Sequence, residues 1–224
     1  MPQSAKNHFK AAVFDLDGTL LDTLDDLTDS VNTVLAMCGF PGRTRDEIRY
    51  FVGDGIVMLV RRVLPENAKD EKTVEECVAL LREIYGKTWN ARTRPYDGIV
   101  EMLSELDRAG LVLAVLSNKP DANTKETVKY FFPEIPFKMV LGERHGVPKK
   151  PDPQGAVEIA ESLGLSPSEI LYLGDTSIDM KTAVAAGMRP VGALWGFRTQ
   201  DELASSGAAH LAKTPADVVE LARP

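Results

Sequence analysis

Four short apolar runs, Ala11–Phe14, Val112–Leu116, Met139–Leu141 and Ile170–Leu173, each stop at a polar or glycine-containing turn. Runs this short and this unbroken suit strands buried on both faces, the condition inside a parallel sheet. A fifth run, Pro190–Leu194, follows later in the chain. Helical patterns lie between the runs. Ile99, Met102, Leu103 and Leu106 share one face before Gly110, and Ala156, Ile159, Ala160 and Leu163 share one before Gly164. Strand and helix in alternation predict an α/β fold, a doubly wound Rossmann-like parallel sheet with ligands at the carboxyl ends of its strands.

Residues 23–92 break the alternation. Leu24, Leu27, Val31, Val34, Leu35 and Cys38 keep helical spacing behind Thr23-Leu24-Asp25-Asp26, which reads as a capping box with Asp in place of Glu. A second amphipathic helix carries Ile56, Leu59, Val60, Val63 and Leu64, and a third runs roughly from Lys72 to Trp89. No strand pattern interrupts them. The expectation is an inserted all-helical cap subdomain at 23–92, with residues 1–22 and 93–224 forming the α/β core.

The strand ends carry chemistry. The first run leads straight into Asp15 and Asp17, alternate residues whose carboxylates leave the strand end on one side. Buried strands rarely end in paired acids unless a metal, a proton or a nucleophilic role occupies them. Gly18 and Thr19 add a tight turn whose N–H groups can face an anion. Ser117, Asn118 and Lys119 follow the second run, Lys149-Lys150-Pro151-Asp152-Pro153 follows the third, and Gly174-Asp175 with Asp179 follows the fourth. Carboxylates at 15, 17, 175 and 179, with oxygen donors only, match a hard cation, most simply Mg²⁺. A hydroxyl, an amide and a lysine nearby suit a phosphoryl oxygen.

Composition narrows the partners. A formal charge of -7 on 224 residues argues against nucleic acid or an anionic membrane as the main target. No apolar run is long enough to span a bilayer, and Met1–Lys10 has no hydrophobic signal core. Cys38 and Cys77 lack metal-ligand spacing and read as small core residues. The expected setting is cytoplasmic and reducing.

Taken together, Asp15-Leu16-Asp17-Gly18-Thr19, Ser117, Lys150 and Gly174-Asp175 followed by Asp179 resemble, in order and spacing, the four motifs of the haloacid dehalogenase superfamily, in its phosphatase branch. The resemblance spans essentially the whole chain, and the helical insert matches the small helical cap of that family. It implies that Asp15 attacks phosphorus and that Asp17 gives a proton to the leaving alcohol and later takes one from water. It further implies Mg²⁺ held by Asp15, Asp175 and the Asp17 backbone carbonyl, with Asp179 ligating through water or orienting. Ser117 and Lys150 would serve the phosphoryl group. A dehalogenase has no acid at the position of Asp17, so that relative is excluded.

Gly53-Asp54-Gly55, Tyr96-Asp97-Gly98 and Ala193–Arg198 are similar to elements of phosphoglycolate phosphatases. Gly53, Asp54 and Gly55 read either as a turn with Asp54 as N-cap or as an anion cradle for a second acidic group of the substrate. With Gly18, Thr19 and Asn118 they complete the expected substrate-binding set. The implied partner is a small phosphorylated metabolite, 2-phosphoglycolate first; a sugar phosphatase, a pyrophosphatase, a β-phosphoglucomutase and a non-catalytic binding protein stand as alternatives. Arg61, Arg62 and Lys149 read as solvated charges, Trp195 as packing, and His8, His145 and His210 as ordinary histidines. Oligomeric state leaves no mark in the sequence.

Overall fold

The computed structural model describes residues 9–223. Met1–His8, and with them the reading of His8 and most of Met1–Lys10, lie outside the described residues. The chain divides into two compact units: one runs up to Leu20 and resumes at Pro95, and the other is Leu21–Arg94.

The first unit is built on a six-stranded sheet of β1 (Ala11–Phe14), β4 (Val112–Pro120), β5 (Met139–Glu143), β6 (Ile170–Gly174), β7 (Arg189–Ala193) and β8 (His210–Ala212). Every neighbouring pair is parallel, in the order β5-β4-β1-β6-β7-β8. All four residues of β1 and all five of β6 are buried, which is why these strands read as continuous apolar runs rather than alternating ones. Helix α7 (Gln154–Leu163) and helix α8 (Ser177–Ala186) cover one face, where Ala156, Ile159, Ala160, Ala183 and Ala186 pack with Ala11, Val13, Ala114, Leu116, Ile170 and Tyr172. Small side chains let these helices lie close to the sheet. Helix α5 (Ile99–Arg108), which buries the four expected residues, packs against β4 and against α10 (Pro215–Ala222). The unit also contains α6 (Asp121–Phe131) and α9 (Gln200–Ser205).

Two boundaries differ from the sequence expectation. Strand β4 continues through Ser117, Asn118 and Lys119 to Pro120, with an irregular register after Leu116, so the polar residues lie within the strand and not beyond it. The weakly apolar β8, only three residues long, carried no readable signal.

The second unit holds α1 (Leu24–Met37), α2 (Arg45–Phe51), α3 (Ile56–Val63) and α4 (Glu71–Thr88), and β2 (Leu21–Asp22) pairs with β3 (Arg94–Pro95) where the chain enters and leaves it. Helix α2 escaped the sequence reading, although Thr44 and Glu47 close a full capping box at its start. The box expected at Thr23–Asp26 does not form. Thr23 makes no side-chain cap and its buried hydroxyl has no partner among the described residues. Asp26 instead turns inward to accept from the N–H of Arg92 (3.0 Å) and the N–H and hydroxyl of Thr93 (both 2.8 Å). Asp54 does not cap α3: Gly55 is the N-cap, and the Asp54 carboxylate pairs with Arg62, whose guanidinium also donates to the Phe51 carbonyl at 2.9 Å. Arg62 is thereby tied down rather than merely solvated. Cys77 is buried as expected, while Cys38 ends α1 half-buried with its Sγ 3.6 Å from that of Cys77. Among the described residues, no helix is long and apolar enough to cross a membrane.

Asp26 is 3 % exposed and receives three donors from the returning chain. Asp26→Ala would strand the buried N–H and hydroxyl of Thr93, and we expect it to destabilise the protein by about 3 kcal/mol in urea unfolding.

Candidate active site

In a sheet ordered β5-β4-β1-β6-β7-β8 the winding direction reverses between β1 and β6, and a crevice opens at their carboxyl ends. Asp15 is the first residue past β1, and its N–H donates to the Leu173 carbonyl of β6 at 2.9 Å, so the parallel ladder carries it to the rim of the sheet. Asp175 is the first residue past β6. Asp179 stands one helical turn further, at the third position of α8, where it closes a capping box with Thr176. Its Oδ2 accepts from the Thr176 N–H (3.1 Å) and hydroxyl (2.6 Å), leaving Oδ1 directed at Lys150. Gly174 permits this: a Cβ there would lie 2.2 Å from that of Asp179.

Lys150 ties the rim together. Its Nζ is 2.8 Å from Asp15 Oδ1 and 2.7 Å from Asp179 Oδ1, and the residue is 6 % exposed. Carboxylate oxygens of Asp15, Asp175 and Asp179 all lie within 4.8 Å of one another. Burial pushes the Asp15 carboxyl well above its ordinary range, and repulsion from Asp179 and Asp175 adds to this against the pull of Lys150. Burial and then Asp179 raise Asp175 to about 7, although the Phe197 N–H and the Thr19 hydroxyl oppose the rise. Burial would lower Lys150, but Asp15 and Asp179 outweigh it and hold the ammonium well above its usual range. Three crowded, buried carboxylates with only oxygen donors fit a hard divalent cation.

Asp17, partly exposed, takes a different partner: Lys119 Nζ lies 3.4 Å from its Oδ1. The sequence places Lys119 at the strand end, and only the folded chain pairs it with Asp17. Ser117 is buried, and its hydroxyl accepts from the Lys119 N–H at 3.2 Å. Two residues expected at the substrate have side chains spent elsewhere. The fully buried Thr19 hydroxyl donates to Asp175 Oδ1 at 2.7 Å. The Asn118 amide bonds the backbone of Lys150 at both ends. Gly18, at φ +88°, takes a turn other residues resist, and a Cβ there would meet Asp175 Oδ2 at 2.4 Å. Gly53, Asp54 and Gly55 belong to the helical unit described above.

The loop after β7 bonds to the residues at the rim. The Phe197 N–H donates to Asp175 Oδ2 (2.8 Å) and the Trp195 indole N–H to the Thr19 carbonyl (2.9 Å). Lys149 pairs with Glu143 at 3.4 Å, Arg61 with Glu71 at 2.5 Å, and His145 is exposed. His210 meets Arg189 Nη2 at 2.9 Å.

Residues 12–193 match the family model described as haloacid dehalogenase-like hydrolase. The chain belongs to the haloacid dehalogenase-like hydrolases. It is 32% identical over 192 residues to phosphoglycolate phosphatase 1 of Pseudomonas aeruginosa, covering 84% of this chain and 70% of that one. It is 30% identical over 221 residues to a phosphoglycolate phosphatase of Vibrio vulnificus, covering 96% and 97%. A solved structure from Lactobacillus delbrueckii subsp. bulgaricus, provisionally described as a phosphoglycolate phosphatase, superposes with a TM-score of 0.90 at 30% identity, over 96% of this chain and 99% of that one. This haloacid dehalogenase-like fold therefore extends through both units.

The raised carboxyls fix a sign for pH dependence. Between pH 4 and 7 the folded metal-free chain holds a proton on Asp175 that the unfolded chain has lost, so this group's stabilisation declines as pH rises through about 7. His210, lowered by burial and by Arg189, contributes the opposite slope below its ordinary value. The comparison is therefore between wild type and Asp175→Asn. In EDTA the wild type should lose more stability than the variant from pH 5 to 8, as read by urea midpoints. Added Mg²⁺ should raise the wild-type Tm at pH 8 and leave that of the variant nearly unchanged.

Proposed function

We propose that the chain is a Mg²⁺-dependent phosphomonoesterase working through an aspartyl-phosphate, with 2-phosphoglycolate as its substrate. The observation that carries the reading is the Lys150 ammonium bridging Asp15 and Asp179 beside Asp175. Such a site suits an anionic nucleophile that must approach an anionic phosphoryl group. The substrate rests on the relatives named phosphoglycolate phosphatase, which align with this chain nearly end to end in the Vibrio vulnificus case.

In this reading an Asp15 oxygen attacks phosphorus in line, the ester P–O bond breaks, and Asp17 gives its proton to the departing alkoxide. Asp17 then takes a proton from the water that attacks the aspartyl-phosphate, releasing inorganic phosphate and restoring Asp15. Lys150 holds Asp15 in place and neutralises charge as phosphate arrives, while Ser117 donates to a phosphoryl oxygen. Asp15, Asp175 and Asp179, with the Asp17 carbonyl, would hold Mg²⁺, which when bound offsets the repulsion between nucleophile and phosphate. Lys119, 3.4 Å from the Asp17 carboxylate, keeps that acid close to a counter-charge as it gains and loses its proton.

Asp15→Asn should lower kcat by roughly 10³-fold or more, and Asp17→Asn by about 10²–10⁴-fold with the fold intact. In kcat/KM across a panel of phosphorylated metabolites with Mg²⁺, 2-phosphoglycolate should lead. Full activity in Asp15→Asn would end the mechanism; equal turnover of all esters would end the substrate assignment alone.

A further inference from the structure

The Asn118 side chain gives a donor and an acceptor to one and the same residue. Its Nδ2 donates to the Lys150 carbonyl at 3.0 Å, and its Oδ1 accepts from the Lys150 N–H at 2.9 Å. All the groups are buried, with Asn118 at 6 % and Lys150 at 6 % exposure. A primary amide set against one residue's N–H and C=O imitates a strand-to-strand pairing, so β4 effectively gains a one-residue ladder to the loop before α7. Among the described residues, no strand pairs with that loop at this point. The amide substitutes for one.

We propose that Asn118 is a positioning residue that sets the Lys150 ammonium between Asp15 and Asp179, and that its side chain is not a substrate ligand. The proposal rests on the phosphatase reading for its kinetic consequences only. The physical need is plain. Lys150 reaches its two carboxylates at 2.8 and 2.7 Å along a flexible four-carbon stem, and such a stem delivers its charge accurately only if its root is fixed. Tyr172, the β6 partner of Val13, is fully buried in the same core cluster. The stem is thus fixed at its root by Asn118. A displacement of about 1 Å at a catalytic group costs on the order of 10²-fold in rate, which sets the scale of the effect.

The test combines kinetics with amide hydrogen exchange. Asn118→Ala should lower kcat by about 10- to 100-fold with KM nearly unchanged. It should add little further loss in a Lys150→Ala background, because the effect passes through Lys150. The Lys150 amide proton should exchange markedly faster in Asn118→Ala than in wild type. Asn118→Asp, which keeps the acceptor but sets a second oxygen against the Lys150 carbonyl, should fail in the same manner. If Asn118→Ala does not fold, Asn118→Ser carries the same comparisons. An effect on KM or on inhibition by inorganic phosphate, or full losses that multiply in the double variant, would make Asn118 a substrate ligand and overturn the proposal. Unchanged exchange at Lys150 would overturn it as well. Because exchange needs no substrate, an inactive wild type would count against the phosphatase reading and leave the placement of Lys150 to be decided by exchange.

Discussion

The site depends on a lysine buried between acids. Lys150 sits 2.8 Å from Asp15 and 2.7 Å from Asp179, and all three are buried, so the ammonium and the carboxylates offset one another's loss of solvent. Breaking such a pair by removing one partner is far costlier than never having built it, since a charge is then left alone in a dry medium. With all groups ionised, Asp15, Asp175 and Asp179 against one ammonium leave two negative charges unbalanced in a small buried volume. A divalent cation would restore neutrality there. The same crowding that raises Asp15 and Asp175 in its absence is what makes the site ready to accept it.

Backbone contacts keep the charged groups in place. Asp175 accepts from the Phe197 N–H and the Thr19 hydroxyl, and Asp179 from both donors of Thr176. Those donors leave little freedom for either carboxylate to turn away. The chain also gives up side chains to bring them close: at Gly196 a Cβ would stand 2.2 Å from that of Asp175 and 2.5 Å from the Gly18 carbonyl. Preorganisation of this kind is assembled at folding, so little rearrangement is left for the reaction.

Much of this was legible in the sequence because burial on both faces writes a plain signal. Strands β1, β4, β5 and β6 announced themselves as apolar runs, and Asp15 and Asp175 stand directly beyond β1 and β6. What stayed hidden was decided by distant partners. Nothing local shows that the Thr19 hydroxyl goes to Asp175, 156 residues away, or that Asn118 serves Lys150 rather than a ligand. Lys119 and Asp17 meet across 102 residues. The loop at 194–197 reaches Asp175 through the Phe197 backbone N–H, and a backbone N–H has no letter of its own in the sequence.

The failed cap at Thr23 makes the same point in reverse and explains how so large an insert is tolerated. The pattern Thr23-Leu24-Asp25-Asp26 satisfies the local rule, yet Asp26 meets donors from Arg92 and Thr93, 66 and 67 residues on. A helix start has other means of satisfying its N–H groups; here Asp22 accepts from the Leu24 N–H at 3.3 Å. The returning chain has few alternatives once buried, so the carboxylate goes where the unmet need is larger. The consequence is that the helical unit closes its own ends, with β2 against β3 and Asp26 against residues 92 and 93. Chain ends held together this way can enter and leave a single strand-to-helix connection without stretching it. The ladder that carries Asp15 to Leu173 is then set within the sheet.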